Sequence, residues 1–155
     1  MPLLRAALSW NFVLATAICA SLLAQLIKVL LNLFIFHRFI PERMWGAGGM
    51  PSSHSATVCA MVVATGRYCG VNSPLFAIAA VLSIIVMYDA MGVRYETGEQ
   101  AKVLNRMFTE WMDQGFEQFQ LPHGKKLKEM VGHTPIEVVT GAALGIVLGF
   151  AMPMV

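Results

Sequence analysis

The sequence predicts an all-α protein: a polytopic membrane helical bundle with about four transmembrane helices, and an amphipathic helix between the third and the fourth. Three observations predict it. The 155 residues are 57% hydrophobic and 13% charged, with mean hydropathy +0.63, whereas soluble domains run about 45–50% apolar and about 25% charged. Four apolar stretches approach the roughly 20 residues that a bilayer span needs. Most of the charge falls in one block, from Arg94 to Gly132. The length suits a single membrane-embedded domain over 1–155. The composition excludes a disordered chain, and a net charge of +2 with no dominant basic patch excludes nucleic acid as a partner. Cys19, Cys59 and Cys69 lie in apolar runs without a CxxC pair, so neither a disulfide framework nor a zinc site is expected.

The first span is expected over 10–36, long enough to cross with tilt or to begin or end at the interface. Arg5, the apolar run and the small residues around Ala17 to Ser21 imitate a signal peptide. The run continues through Lys28 to Phe36, however, which predicts a retained helix. Residues 37–53 hold Pro41, Gly46, Gly48, Gly49 and Pro51 and read as loop. The second span is expected over 53–71, with Arg67 near its end, where arginine can snorkel. The third covers 74–92 and the fourth 135–155, with a charged loop over 94–132 between them. Within that loop Val103, Leu104, Met107, Phe108, Trp111, Met112, Phe116 and Phe119 recur at helical spacing. Residues 99–119 therefore read as an amphipathic helix, either lying on the membrane or packed on the spans. Lys125, Lys126 and Lys128 follow, as a solvated surface or a contact for anionic headgroups.

With four spans, the loops after the first and the third share a side. That side carries Arg38, Arg43, Arg94, Lys102, Arg106, Lys125, Lys126 and Lys128, against Arg5 and Arg67 on the other. The excess places the charged loops in the cytoplasm and the chain in the cell (inner) membrane as a multi-pass protein. Arg5, ahead of the first span, pulls the other way.

Polar residues in a membrane bundle point to function. Gln25, Lys28 and Asn32 share one face of the first span by their spacing. Asp89 and Arg94 close the third span, and His54 and His133 open the second and fourth. Gly48, Gly49, Met50, Pro51, Ser52, Ser53, His54 and Ser55 combine glycines that admit close approach, a serine cap and a helix start that favours anions. A histidine there can reach the anion and protonate a leaving group; the plain alternative is a loop and N-cap with an interfacial histidine. In Gly132-His133-Thr134-Pro135-Ile136-Glu137, Thr134 and Glu137 have capping-box spacing. Glu137 is also four residues from His133, where a carboxylate can fix the imidazole tautomer and leave the other nitrogen as a nucleophile. Spacing leaves both uses of Glu137 open. Lys28 and Asp89 would bridge each other as a structural pair, or Lys28 and Arg94 would bind phosphate oxygens with Asp89 orienting one of them. A third reading makes Lys28 and Asp89 an ion- or proton-coupling pair.

Gly-Gly-Met-Pro-Ser-Ser-His-Ser-Ala at 48–56, Tyr-Asp-Ala-Met-Gly-Val-Arg at 88–94 and Gly-His-Thr-Pro-Ile-Glu-Val at 132–138 closely resemble the divergent branch of the type-2 phosphatidic acid phosphatase family, related to acid phosphatases and vanadium-dependent haloperoxidases. The resemblance covers essentially the whole chain, including Ala24, Gln25 and Lys28. It implies lipid-phosphate hydrolysis through a phosphohistidine, with no metal and no other cofactor. It implies His133 as nucleophile, Glu137 as its orienter, His54 as general acid, and Lys28 and Arg94 as phosphate-binding cations. Ser52, Ser53 and Ser55 would add phosphate contacts at the helix start, with Asp89, Gly48, Gly49 and Gln25 supporting. The chain departs from the parent pattern at Ser53 for glycine, at Glu137 for aspartate, in the long insertion between Arg94 and His133, and in the absence of an Arg-Pro after Lys28 at the family spacing.

The function expected is therefore a lipid phosphate phosphatase of the phosphatidate, phosphatidylglycerophosphate or prenyl (di)phosphate class. Its partners are membrane lipid and the phosphorylated lipid substrate. A four-span bundle is small, and a homodimer would complete a lipid groove. The rival readings are a transporter or flippase for a phosphorylated lipid, and a non-catalytic binder.

Overall fold

The helices of this chain start where the sequence supplies a start signal. The computed structural model describes residues 11–36, 49–114, 126–129 and 131–154, and among them five α-helices and no strand. They are α1 (Phe12–Phe36), α2 (Ser53–Cys69), α3 (Pro74–Met91), α4 (Val93–Asp113) and α5 (Pro135–Ala151). The Asn11 side chain accepts the Leu14 N–H at the head of α1. Ser52 accepts the Ser55 N–H at α2, and Ser73 accepts the Phe76 N–H at α3, which has Pro74 in its first turn. Gly70, at φ +83°, ends α2 in a conformation that glycine adopts without strain.

The core is made of small residues. Helix α2 lies at the centre, packed on α1, α3 and α5. Ala20 and Ala24 of α1 meet Ala56 and Ala60 of α2, with Leu144 and Leu148 of α5 against them. Gly141, Gly145 and Gly149 of α5 lie on Ser52, Ala56 and the Ala60–Val63 turn of α2 in ascending register, so these two helices run parallel. A Cβ at Gly141 or Gly145 would collide with the backbone of Ser52 or Ala56. The large side chains point the other way: Leu22, Leu26, Leu30 and Phe34 of α1, Ile78 and Ile84 of α3, and Val147 and Phe150 of α5 are exposed. Small residues inside and large apolar residues outside suit a bundle solvated by lipid, where close backbone approach replaces a hydrophobic core.

Phe12–Phe34 and the Pro74–Asp113 stretch are long and apolar enough to cross a membrane. Helix α5 is apolar but has 17 residues, about 25 Å at 1.5 Å per residue. The helices end at Cys69, Met91 and Ala151, short of the expected span ends; Trp10 and Val155 lie outside the described residues. The amphipathic helix begins at Val93, six residues before the expected start, which places Arg94 in a helical first turn and not in a loop. Phe116, Phe119, Lys125, Arg38 and Arg43 lie outside the described residues. Helix α4 buries Gly98, Ala101 and Asn105, and leaves Val103, Leu104, Met107 and Met112 exposed, so its packed face is not its apolar face. Asn105 donates to the Leu127 carbonyl (2.9 Å) and to the Glu129 carboxylate (2.8 Å), and accepts the Leu127 N–H (2.8 Å).

Arg67 does not snorkel away from the bundle. Its guanidinium donates to the carbonyls of Gly149 (2.6 Å), Phe150 (3.1 Å) and Met152 (2.7 Å), and lies 5.6 Å from the Phe12 ring centre. It closes the C-terminus of α5, where orphan carbonyls and the negative end of the helix dipole favour a cation.

Candidate active site

At the end of the bundle opposite Arg67, the starts of α2 and α5 meet the end of α3. The meeting is fixed by backbone. Ser52 N–H donates to the Glu137 carbonyl (2.9 Å), and His133 N–H donates to the Ala90 carbonyl (3.1 Å). Gly132 runs so close to α4 that a Cβ there would strike the Tyr95 and Arg94 backbone. His133 is thereby tied to α3 by its own N–H and to α4 by the residue before it.

Glu137 makes both contacts that its spacing left open. Its Oε2 accepts the Thr134 N–H at 2.9 Å, the glutamate half of a capping box, and lies 3.3 Å from His133 Nδ1. A carboxylate on Nδ1 favours the tautomer with its proton there and leaves the Nε2 lone pair free. His133 is 2% exposed, and its Nε2 is buried with no hydrogen-bond partner among the described residues. Burial pushes His133 below the ordinary histidine value. The Glu137 hydrogen bond and charge oppose that shift, and Lys28 and His54 add to it.

The His54 and His133 rings stand edge to face with centres 6.1 Å apart. Both line a cavity of about 230 Å³ with Asp89 and Arg94, walled by Ile85, Val86, Ala90 and Val131. Arg94 Nε donates to Asp89 Oδ2 at 2.5 Å, a contact that does not use the two terminal guanidinium nitrogens. Asp89 is therefore paired with Arg94 and not with Lys28. Across Glu137 lies a second cavity of about 150 Å³, lined among others by Gly49, Glu99, Lys102 and Glu129. Lys102 and Glu99 pair in it at 2.6 Å.

The other expected residues are nearby but arranged differently. Lys28 is 2% exposed, its stem runs against Gly49, and it acts electrostatically on His133. Gly49 has φ +88°, which disfavours any side chain there. Ser52, Ser53 and Ser55 are buried and do not line the cavity. Ser55 Oγ donates to Ser52 Oγ (3.1 Å), and Gln25 Nε2 donates to Ser53 Oγ (3.3 Å). Gln25 Oε1 is a second buried atom without a partner among the described residues. Gly48 lies outside them. Sequence reasoning missed the apolar wall, because Ile85, Val86 and Val131 look like any other lipid-facing residues. It missed the α5 seam too, although Gly141, Gly145 and Gly149 carry the four-residue spacing of a close helix contact.

The chain is 39% identical over 144 residues to the "Uncharacterized membrane protein YuiD" of Bacillus subtilis (strain 168), covering 89% of this chain and 91% of that one. No solved structure matches it. A family model described as "Divergent PAP2 family" matches residues 9–148, and with that coverage the chain is a membrane protein that belongs to the divergent PAP2 family.

Proposed function

We propose that this protein is an integral-membrane phosphohydrolase that removes phosphate from a lipid phosphate through a phosphohistidine at His133, without a metal. The observation that carries the reading is the buried His133, with Nδ1 on Glu137 and Nε2 without a partner among the described residues, beside His54 in a cavity that also holds Arg94. Family membership supports the same chemistry.

In the first step the Nε2 lone pair attacks phosphorus in line, and a P–N bond forms as the P–O bond to the lipid breaks. The imidazolium that develops is stabilised by Glu137. Protonated His54 gives its proton to the leaving lipid oxygen. Arg94 and the buried ammonium of Lys28 stabilise the equatorial oxygens. In the second step His54, now neutral, takes a proton from water. That water attacks phosphorus, the P–N bond breaks, and inorganic phosphate leaves.

The substrate belongs to the phosphatidate, phosphatidylglycerophosphate or prenyl (di)phosphate class. The site would lie on the cytoplasmic side of the cell membrane, facing the inner leaflet, a side favoured by the excess of basic residues after the first and third spans. A transporter coupled through Lys28 and Asp89 is less well supported, because the ion partner of Asp89 is Arg94.

The test is phosphate release by purified protein in detergent, from a panel of lipid phosphates and diphosphates, with EDTA, for wild type and His133→Ala. Release that survives EDTA and disappears in the variant is expected. Release abolished by EDTA overturns the mechanism, and no release from folded protein favours the non-catalytic binder or the transporter.

A further inference from the structure

The chain returns from α4 to α5 along a path that none of the steps above uses. Residues 127–129 and 131–132 run back along α4 in descending register: Leu127 lies on Asn105, Glu129 on Gly98, and Gly132 on Tyr95. A Cβ at Gly98 would collide with the Glu129 carbonyl, as one at Gly132 would with the Tyr95 backbone. These residues form a strap antiparallel to α4. The strap leads directly into His133, and its Val131 walls the His54–His133 cavity. Among the described residues α4 packs on no helix except α3, so the strap carries the contact between the far half of α4 and the site.

Asn105 fastens the far end of that strap. It is 4% exposed, and both of its donors and its acceptor are spent on the strap. Nδ2 donates to the Leu127 carbonyl (2.9 Å) and to the Glu129 carboxylate (2.8 Å), and Oδ1 accepts the Leu127 N–H (2.8 Å). One side chain thus holds both backbone groups of Leu127, as a neighbouring strand would. From Asn105 to Tyr95 the helix rises about 15 Å at about 1.5 Å per residue. The chain from Leu127 to Gly132 reaches at most about 18 Å. With so little slack, fixing Leu127 fixes where Gly132 and His133 fall.

We infer that Asn105 is a positioning residue for His133: it anchors the strap that sets the imidazole against Glu137 at the cavity. This gives the long insertion between Arg94 and His133 a task, because the insertion folds back on itself and Asn105 closes the fold. The catalytic consequence rests on the reading of His133 as the nucleophile.

The test is acylation of the full chain in detergent by diethyl pyrocarbonate, read by peptide mass spectrometry. His54 is the internal reference, because it sits on α2 and not on the strap. It is exposed whereas His133 is 2% exposed, so wild type should react first at His54. In Asn105→Ala the ratio of label on His133 to label on His54 should rise about tenfold, roughly the net worth of one or two of the lost hydrogen bonds. Glu129→Ala removes one bond and keeps the hold on Leu127. It should raise the ratio about threefold, and it decides the question if Asn105→Ala does not fold. Asn105→Asp removes both donors and sets a second carboxylate beside Glu129; adding Glu129→Gln, whose amide can donate back, should return the ratio toward wild type. An unchanged ratio in folded variants overturns the inference, and so does an equal rise at both histidines, which means general loosening. In turnover of phosphatidate, Asn105→Ala should lower kcat about tenfold and leave KM within about twofold; a rise in KM at constant kcat contradicts the positioning role. A raised ratio in a protein that releases no phosphate keeps the clamp and sinks the hydrolase reading. Release that falls while the ratio stays constant does the reverse.

Discussion

Along the contact of α2 and α5, Gly141 and Gly145 meet the backbone of Ser52 and Ala56 and Gly149 meets the Val63 side chain, whereas α3 buries only Ala79, Ser83 and Ala90 of its 18 residues. The two regions carry different halves of the site. His54 and His133 flank the starts of the close-packed pair, and Ser52 N–H on the Glu137 carbonyl locks those starts together. Asp89 and Arg94 sit where the sparsely covered helix α3 passes into α4, half-exposed at the cavity. On the proposed mechanism, the groups that transfer a proton and a phosphoryl group are mounted on the close-packed pair. The groups that would meet an incoming headgroup are mounted on the sparsely covered wall. Small residues let helices approach closely in a bilayer, and large apolar ones leave a helix in contact with acyl chains.

The largest effect should come from breaking the rigid region. In Gly145→Leu the first side-chain carbon already overlaps the Ala56 backbone, so α2 and α5 must separate. The expected loss is about 3 kcal/mol or more, read as a collapsed thermal transition and a non-monodisperse peak in detergent. A variant that melts like wild type would show that the seam does not hold the site.

Glu137→Gln sharpens the comparison by removing the charge beside His133, while the amide oxygen can still accept the Thr134 N–H. Phosphate release should fall on the order of a hundredfold, because the carboxylate that orients and stabilises the His133 imidazolium is gone. The pH profile gives the sign. Burial holds His133 below its ordinary value near 6.5, so its neutral, nucleophilic form persists into mild acid and the acid limb falls below that pH. Glu137 raises the His133 pKa, so Glu137→Gln should move the limb to still lower pH. A limb that moves up, or does not move, would contradict the pairing.

Arg94→Lys tests the lipid-facing wall. A lysine cannot keep the Asp89 contact through Nε and also offer two terminal nitrogens to phosphate. KM for a lipid phosphate should rise about tenfold with a smaller change in kcat. A fall in kcat at constant KM would place Arg94 with the histidines instead.

The smallest effect belongs to the far end. Arg67→Gln removes a cation from three carbonyls at the C-terminal end of α5 and should cost about 1–2 kcal/mol, visible as a lower melting temperature with phosphate release unchanged. A change in release would mean that the two ends are coupled.

Much of this was legible in the residues. The apolar runs located helices α1, α3 and α5, since hydropathy records what lipid demands of a backbone. Glu137, His133 and Thr134 could be read as a capping box or as a dyad, and the structure places both interactions on one oxygen. The serines were read by type: hydroxyls at a helix start suggest a phosphate site, but their partners are each other and Gln25. The choice between Lys28 and Arg94 for Asp89 depends on helix rotation, which spacing along one helix does not supply. The early start of α4 was hidden because Arg94 to Gly98 carry no apolar periodicity, and the helix continues there from the hydrogen bonding of α3 across Gly92.

The central claim is that phosphorus passes through His133 Nε2. The most direct measurement is a rapid quench of the wild-type protein during turnover of a lipid phosphate, at alkaline pH to preserve the P–N bond, followed by peptide mass spectrometry. The account predicts one acid-labile phosphoryl group on the peptide containing His133, absent in His133→Ala. Phosphorylation at another residue, or steady release with no phosphoenzyme at any quench time, would contradict it.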